Sequence, residues 1–404
     1  MEDIVRYAHP KLLAHLQVPE ITLLTGSRQV GKTTLMRQLQ QKLQAKNSPF
    51  YHFNLEHDKY LTAFNENPEN IFDFIPKQKG KKCTVFIDEI QYLNKPSNFL
   101  KLLYDEYKDV VKLVVTGSSA FYIDTKFKDS LAGRKRLFHI KPISFAEFVH
   151  YKKGKNYAEY LSKGIQAKTA IPLLIASELE ELYDEYLVFG GYPAVVKAKT
   201  DIEKMDILFE ITTSYVQKDL FDSGIRKTGE FRTMFELLAA QCCGQLNTNE
   251  VSKIVKSAIP TINNFLYLLE KSFHIKLVRP FYNNYKKELV KMPKLYFQDN
   301  GFRNALINNF QRLKTRDDRG LLLENQALQQ LLYHYNEHDV KYWRTTDQNE
   351  IDFVLKDKKA LEIKFKQDDY KASKYKIFNE IYNDYQLNCA SFKKEKNKLA
   401  VWEI

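Results

Sequence analysis

Residues 21–40 of the chain read ITLLTGSRQVGKTTLMRQLQ. The first five are apolar or β-branched, which predicts a short strand, and the last seven carry apolar residues at helical spacing. Between them lies G-x-x-x-x-G-K-T, a loop motif that binds phosphate when a strand precedes it and a helix follows. The stretch therefore predicts an α/β domain with a parallel sheet and a phosphate-binding loop.

The residues of this loop have separate expected roles. Gly26 and Gly31 let the backbone curl, so that its N–H groups and the next helix N-terminus face phosphate oxygens. Lys32 is expected to neutralise the β- and γ-phosphates, and Thr33 to bind Mg²⁺ through its hydroxyl. A chance match on a glycine-rich loop is the alternative, and the flanking strand and helix weaken it. The residues expected to contact the nucleotide are Gly26, Ser27, Arg28, Gln29, Val30, Gly31, Lys32, Thr33 and Thr34.

Two adjacent acids follow a second apolar run. Residues 84–87 read TVFI, which predicts a strand buried on both faces, and Asp88 and Glu89 come next. The carboxyl end of such a strand is where an α/β sheet places its ligands. We expect Asp88 to hold the Mg²⁺ shell and Glu89 to polarise the attacking water. The alternative for Glu89 is an exposed acid that begins the following segment.

Two further residues are candidates for the same chemistry. A third apolar run at 111–115 ends in TGSS, and Ser118 is expected to sense the γ-phosphate or orient water. Arg134 lies in the basic stretch LAGRKR at 131–136, where it can stabilise transition-state charge in cis or as a finger into a neighbour. A solvated basic loop is the alternative for Arg134.

Composition excludes several classes of protein. The 404 residues are 44% hydrophobic, and 62 Lys+Arg against 50 Asp+Glu leave a net charge of +12, which favours a polyanionic partner. An apolar run of 18 residues, which a membrane span needs, does not occur. The amino-terminal MEDIVRYAHPKLL has no apolar signal core, and the four cysteines form no C-x-x-C pair. We expect a cytoplasmic protein with reduced, buried thiols.

Five segments together resemble the AAA-type ATPases that occur widely in bacteria and archaea, a group close to the STAND and archaeal ATPases. The resemblance implies ATP and Mg²⁺ as ligands, and a helical lid whose G-x-P turn approaches the nucleotide base. Residues 190–193, GGYP, match that turn, which assigns Pro193 to the nucleotide site; an ordinary helix-breaking turn is the alternative. The segments begin at residues 26, 85, 114, 131 and 186 and read GSRQVGKTTL, VFIDEIQYL, VVTGSSA, LAGRKRLFHIKPISFAEF and YLVFGGYPAVV.

The family also carries a C-terminal domain of unknown function that resembles a restriction endonuclease. The expected fold class is therefore α/β: a P-loop NTPase sheet with a helical lid, a winged helix and a restriction-endonuclease-like α/β domain. Helical periodicity at 176–188 and 202–220 predicts the lid. The expected domains are the ATPase core at 1–165, the lid at 166–230, the winged helix at 231–300 and the nuclease-like domain at 301–404.

The winged-helix prediction is based on local patterns. Helices are expected at 231–242, at 250–256 and from Thr261 onward, the last with Ile262, Phe265, Leu266 and Leu269 on its inner face. Two β-rich runs at 275–282 and 289–297, separated by Asn283-Asn284, predict the wing. Residues 251–294 hold nine Lys/Arg and two acids, which favours DNA as a partner. Packing within a lid or an oligomer is the alternative.

The last hundred residues hold a second candidate site. Glu324 lies on a predicted helix, and Asp352, Glu362 and Lys364 lie on two predicted strands of a hairpin, with the last two on one face. This set resembles the PD-(D/E)XK nuclease pattern. Asp352 and Glu362 are expected to hold Mg²⁺, while Lys364 orients or deprotonates water. A solvated strand face and a binding module without cleavage are the alternatives. Trp343 and Trp402 are predicted to be core residues.

Three hypotheses follow from these patterns. The first is a Mg²⁺-dependent, DNA-associated ATPase that couples its nucleotide state to the winged helix and the nuclease-like domain, with homo-oligomerisation left open and no membrane partner. The second is an ATP-gated DNA endonuclease. The third is a slow nucleotide switch that recruits a protein partner.

Overall fold

The chain divides into two compact units. The first comprises Met1–Lys141 and Lys271–Phe273, and the second comprises Pro142–Glu270 and His274–Ile404. Ser118, one of the candidate catalytic residues, lies outside the described residues. The computed structural model describes residues 4–75, 82–117, 131–161, 171–215, 225, 227–282, 284–395 and 398–404.

The first unit is built around a five-stranded parallel sheet. Its strands pair in the order β2-β3-β4-β1-β5. Three of them, β1, β3 and β4, are buried along their whole length. This is the burial expected of central parallel strands, and it confirms the α/β prediction. The strands are β1 (Ile21–Thr25), β2 (Phe50–Asn54), β3 (Cys83–Asp88), β4 (Val111–Gly117) and β5 (Lys135–His139).

The helices of the first unit contribute apolar faces to its core. The helix after β1 buries Leu35, Met36, Leu39 and Leu43, as its periodicity predicted. A cluster of aromatic and aliphatic side chains around β2 and β3 includes Phe53, which is 3% exposed. The helices are α1 (His9–His15), α2 (Lys32–Ala45), α3 (Asp58–Glu66) and α4 (Pro96–Tyr107).

The register of the sheet aligns the ends of four strands in two pairs. Thr25 at the end of β1 pairs with Gly117 at the end of β4, and Asn54 at the end of β2 pairs with Asp88 at the end of β3. Because the strands are parallel, the loops that follow them leave the sheet at one edge, which we call the carboxyl edge. The glycine-rich loop, Asp88 and Glu89 lie at this edge.

The second unit begins with a helical region. Helix periodicity at 176–188 is confirmed by α7, and residues 202–214 of the second predicted lid helix lie in α9. Helix α9 begins at a capping box in which the Thr200 hydroxyl and the Glu203 carboxylate each accept a backbone N–H. The helices are α5 (Phe145–Lys153), α6 (Lys155–Ala158), α7 (Leu173–Phe189), α8 (Pro193–Lys197), α9 (Asp201–Ser214), α10 (Thr228–Ala240), α11 (Thr248–Val255) and α12 (Ile259–Lys271).

Helix α12 shows the predicted two faces. Its side chains Ile262, Phe265, Leu266 and Leu269 are buried. On the opposite face, three side chains of the helix are exposed. This division confirms the helical period read from the sequence. The exposed side chains are those of Asn263, Asn264 and Tyr267, whereas Lys271, which was expected on the same face, is half-buried.

The predicted wing differs from the structure in its second half. Strands β6 (Ile275–Val278) and β7 (Lys294–Phe297) pair antiparallel, but helix α13 (Tyr285–Val290) lies between them. The predicted strand at 289–297 is therefore wrong at residues 289–293, of which 289 and 290 are helical. Asn284 explains the difference, because its side-chain Oδ1 accepts the N–H of Lys286 at 2.9 Å and so begins a helix where a tight turn was expected.

A second five-stranded sheet follows in the second unit, in the order β12-β11-β10-β9-β8. Strands β9 and β10 form the antiparallel hairpin that the sequence predicted, with Leu361 opposite Phe353. Trp343 and Trp402 are 4% and 1% exposed, which confirms them as core residues. The elements are α14 (Asn300–Leu306), α15 (Arg319–His334), β8 (Val340–Arg344), β9 (Glu350–Leu355), β10 (Lys359–Lys364), α16 (Lys376–Ile381), β11 (Gln386–Ser391) and β12 (Leu399–Ala400).

The helices and the cysteines bear on two expectations drawn from composition. Among the described residues, the helices are each too short or too polar to cross a bilayer. All four cysteines are free thiols; Cys83, Cys242 and Cys243 are buried, as expected, whereas Cys389 is partly exposed.

Candidate functional site

The glycine-rich loop has the backbone that the motif requires. Gly26 and Gly31 have φ values of +147° and +94°, and Gln29 between them has +61°. A Cβ atom on Gly26 would lie 2.1 Å from the carbonyl oxygen of Ile140, so only glycine fits there. The loop runs from the end of β1 directly into α2, and Gly31 is the residue that caps this helix. The predicted strand, loop and helix are therefore present.

Lys32 lies over its own loop. Its side chain is buried, and Nζ donates hydrogen bonds to the carbonyl oxygens of Gly26 at 2.9 Å and Ser27 at 2.8 Å. These contacts hold the ammonium group at the mouth of the curled backbone. A phosphate oxygen that entered the loop would meet this positive charge together with the positive end of the α2 dipole.

Thr33 and Asp88 are in direct contact. Thr33 Oγ1 donates a hydrogen bond to Asp88 Oδ2 at 2.9 Å, and Thr116 Oγ1 donates one to Asp88 Oδ1. Asp88 is 5% exposed, so its charge depends on these partners. Hydroxyl and carboxylate oxygens are ligands that Mg²⁺ prefers. The two residues that the sequence assigned to Mg²⁺ are thus adjacent, and their atoms suit that ion.

Glu89 has an unusual backbone. It lies at φ +60° and ψ +49°, a left-handed conformation that non-glycine residues seldom adopt and that is common at functional sites. Its N–H donates to Thr116 Oγ1 at 3.0 Å, and its Oε2 accepts a hydrogen bond from Gln91 Nε2. The Thr116 hydroxyl therefore contacts both adjacent acids.

Sequence reasoning missed the roles of Thr116 and Gln91. Thr116 belongs to the TGSS run at the end of the third strand, and that run was the available signal, although the role was assigned to Ser118. Gln91 carries no signal in a single sequence.

Arg134 is placed away from the loop. It precedes β5, and its carbonyl oxygen accepts the N–H of Ile21, the first residue of β1, at 2.8 Å. Its guanidinium holds Asp105 through Nε at 2.6 Å and NH2 at 3.1 Å, and this hydrogen bond lowers the pKa of Asp105. The loop follows the other end of β1, so the transition-state role in cis does not fit this placement. The role as a finger into a neighbour stays a prediction.

The nuclease-like residues are brought together in the second unit. Glu324 lies on α15, Asp352 on β9, and Glu362 and Lys364 on β10. Asp352 Oδ2 accepts the N–H of Ile363 at 2.8 Å, and the N–H of Asp352 donates to Glu362 Oε2 at 3.4 Å. Lys364 forms an ion pair with Glu362. The hairpin therefore places the acids as the sequence predicted.

Lys294 joins this set without any signal in the sequence. Its Nζ lies 2.9 Å from Glu324 Oε1 and 3.7 Å from Asp352 Oδ1, and it also pairs with Glu350. Burial favours the neutral form of Lys294, but the negative charges of Glu324, Asp352 and Glu350 outweigh this effect. The pKa of Lys294 is therefore raised well above its ordinary value. Burial also raises the pKa of Glu324 to about 7 and that of Glu362 to about 8, with Asp352 adding to both.

The GGYP turn is held from within the second unit. The N–H of Gly191 donates to Asp299 Oδ2 at 2.7 Å, and Pro193 is the first residue of α8. Asp299 was not a candidate from the sequence. Pro193 and the glycine-rich loop belong to different units, so the approach of Pro193 to the nucleotide stays a prediction.

Comparison with known families assigns the amino-terminal part. Residues 18–149 match the model of a family described as an AAA domain. This match supports a nucleotide-binding ATPase. Residues 180–313 match the domain of unknown function DUF8612, and residues 319–400 match the domain of unknown function DUF4143. The loop, Asp88 and Glu89, which form the candidate nucleotide site, lie wholly within the AAA match.

Relatives extend over most of the chain. An uncharacterized protein of Haemophilus influenzae is 26% identical over 358 residues, which cover 86% of this chain and 82% of the relative. An uncharacterized protein of Methanocaldococcus jannaschii is 22% identical over 384 residues, which cover 93% of this chain and 81% of the relative. Among solved structures, PCH-2 of C. elegans is 14% identical with a TM-score of 0.32, covering 66% of this chain and 69% of that chain.

Proposed function

We propose that this protein binds ATP together with Mg²⁺ and hydrolyses it at the site formed by residues 26–34, Asp88 and Glu89. The observation that carries the proposal is the 2.9 Å hydrogen bond between Thr33 Oγ1 and Asp88 Oδ2. It joins the hydroxyl and the carboxylate that a Mg²⁺–nucleotide site requires, directly after a G-x-x-x-x-G-K loop. The AAA match over residues 18–149 agrees with it.

In this mechanism the protein contributes positioning and charge, because phosphoryl transfer needs little covalent chemistry. Thr33 and Asp88 would hold Mg²⁺, which would supply positive charge to the phosphate oxygens. Lys32 exchanges its hydrogen bonds with the Gly26 and Ser27 carbonyls for bonds to phosphate oxygens. The Glu89 carboxylate orients and polarises the attacking water. Thr116 fixes Asp88 and Glu89 relative to each other, since its hydroxyl bonds to both.

The proposal includes association with DNA. Asn263, Asn264 and Tyr267 form an exposed polar and aromatic face on α12, a composition that suits base and phosphate contacts. Lys253 and Lys256, on and just after α11, are exposed and add positive charge. Lys294 was counted in the same basic segment, but it is buried among carboxylates and adds no charge to that surface.

The proposed domains of the chain are coupled to one another. The ATPase core, lid, winged helix and nuclease-like domain, with boundaries at 165, 230 and 300, transmit the nucleotide state to the DNA-associated parts. Pro193 contacts the nucleotide base, and Arg134 acts as a finger into a neighbouring copy, which makes the protein a homo-oligomer. The protein works in the cytoplasm.

ATP turnover with and without duplex DNA tests the proposal. Lys32→Ala is expected to lose nucleotide binding and turnover, whereas Glu89→Gln retains binding and loses about 100-fold or more of turnover. Lys46→Ala is the matched control, because Lys46 is an exposed lysine just after α2. Wild-type turnover in Lys32→Ala rejects the ATP site. Turnover that DNA leaves unchanged rejects the coupling to DNA and leaves the ATP site intact.

A further inference from the structure

Lys294 occupies the centre of the nuclease-like carboxylate set. It extends from β7 to acids on α15 and β9, with its Nζ 2.9 Å from Glu324 Oε1 and 3.7 Å from Asp352 Oδ1. It also pairs with Glu350. The side chain of Lys294 is 2% exposed, so water does not solvate the ammonium group. A buried ammonium needs several oxygen partners, and these three acids supply them.

The other charges of the set are also compensated. Lys364 forms an ion pair with Glu362, and Arg344 holds Glu350 at 2.8 Å. Asp352 accepts the backbone N–H of Ile363. Within the described ranges, no three or more His, Cys, Asp or Glu side chains are grouped so as to hold a metal ion. Lysine ammonium groups thus neutralise the two acids expected to bind Mg²⁺ in a nuclease, Asp352 and Glu362, and these acids do not fit that ion here.

Lys294 competes with a divalent cation for the carboxylates of Glu324 and Asp352. Mg²⁺ takes oxygen ligands at about 2.1 Å in octahedral geometry, and its two charges repel an ammonium group bonded to the same carboxylates. Displacing Lys294 would leave its charge buried away from the acids that stabilise it. The lysine thus takes the electrostatic place that a metal holds in an active nuclease.

We propose that Lys294 is the internal cation of this carboxylate set, so that the set binds no divalent metal and cleaves no phosphodiester. The set instead joins β7 of the DUF8612 match to α15 and the hairpin of the DUF4143 match. This inference is independent of the proposed ATP site, which lies in the first unit.

The first test measures Mn²⁺ bound per chain, by electron paramagnetic resonance on nucleotide-free protein. Wild type and Asp352→Asn are expected to bind the same number of ions. Lys294→Ala is expected to bind one more ion than wild type, and its affinity at this site should exceed that of wild type at least tenfold. The double variant Lys294→Ala/Asp352→Asn is expected to lose this additional ion. Lys204→Ala is the matched control, since Lys204 is 6% exposed and pairs with Glu185 and Asp201, outside this set. Its Mn²⁺ binding is expected to equal that of wild type.

Two results of the Mn²⁺ measurement overturn the proposal. One is a wild-type Mn²⁺ site that disappears in Asp352→Asn, and the other is a folded Lys294→Ala that gains no ion. If Lys294→Ala does not fold, the comparison of wild type with Asp352→Asn still decides. Supercoiled plasmid gives a second measure: wild type with Mg²⁺ or Mn²⁺ is expected to leave it intact, and nicking that Lys364→Ala abolishes contradicts the proposal.

Discussion

The carboxylate of Asp299 accepts a hydrogen bond from the N–H of Gly191 at 2.7 Å, although 108 positions separate the two residues. Its other oxygen accepts the N–H of Phe302 at 2.9 Å. Gly190 has φ +72°, and a Cβ atom there would lie 2.1 Å from Asp299 Oδ1. The turn that the sequence linked to the nucleotide is therefore shaped by a residue that follows β7.

Asp299 makes stability depend on pH. Burial raises its pKa from 3.8 to about 6, so the folded protein holds the proton more tightly than the unfolded chain. This contribution to stability is fully present below pH 3.8 and is lost as the pH rises through about 6. We expect the stability advantage of wild type over Asp299→Asn to shrink by up to about 3 kcal/mol across that window. Urea unfolding of both proteins at several pH values measures it, and a constant difference would contradict this origin.

Gly301 and Gly320 form a matched pair for a packing prediction. Each lies in the first turn of a helix, α14 and α15, where alanine ordinarily stabilises by about 1 kcal/mol over glycine. A Cβ atom on Gly301 would lie 2.0 Å from the carbonyl oxygen of Phe189, whereas no atom of the described part of the chain would come within 4 Å of one on Gly320. We expect Gly301→Ala to destabilise by about 1–3 kcal/mol and Gly320→Ala to be neutral or stabilising. Similar thermal unfolding of the two variants would show that the contact is unimportant.

The contact between Thr33 and Asp88 predicts a defect that depends on Mg²⁺. Asp88→Asn keeps the shape of the side chain and removes the charge that faces the ion. The Mg²⁺ concentration for half-maximal ATP turnover is expected to rise by at least about tenfold. Asp105→Asn is the control, because Asp105 is an acid of the same unit that pairs with Arg134. If both variants shift the Mg²⁺ dependence equally, Asp88 has no specific part in metal binding.

The hydrogen bond from Gln91 to Glu89 predicts a positioning role. It holds the carboxylate at one oxygen, while the backbone of Glu89 is fixed by Thr116. Misplacing a catalytic group by about 1 Å costs on the order of 100-fold, so Gln91→Ala is expected to lower kcat by about 10- to 100-fold. The KM for ATP should stay unchanged, because the hydrogen bond of Gln91 is to the catalytic acid Glu89. Gln44→Ala, at an exposed position of α2, is the control. A raised KM with normal kcat would assign Gln91 to binding instead.

Local patterns predicted much of this structure. The strand, loop and helix at 21–40, the two faces of α12 and the hairpin around Asp352 and Glu362 each follow from residues close together in the chain. Periodicity and turn residues report such elements directly, because they depend on neighbouring side chains. Thr33 and Asp88 could also be paired in advance, since parallel strands place their carboxyl ends at one edge.

Long-range partners were outside the reach of those patterns. Lys294 resembles its basic neighbours in the sequence, and only the fold brings it to Glu324, 30 positions away. Arg134 was expected near phosphate, but its position before β5 places it at the amino end of β1. Asn284 begins a helix where a turn was expected, since an asparagine side chain serves either structure.

The DNA proposal predicts a salt-dependent affinity that two lysines control. Lys253 and Lys256 are exposed on and just after α11, and each phosphate contact contributes about one unit to the slope of log affinity against log salt. We expect Lys253→Glu/Lys256→Glu to weaken duplex binding and to reduce that slope by about 2. Lys371→Glu/Lys374→Glu changes the net charge equally at exposed positions within the DUF4143 match and serves as the control. Fluorescence anisotropy at several salt concentrations measures the affinity and its salt slope for each variant.

Two outcomes of this measurement would contradict the DNA proposal as stated. An equal loss of affinity in the two double variants would mean that net charge alone drives binding. A wild-type affinity that does not change with salt would remove DNA from the proposal.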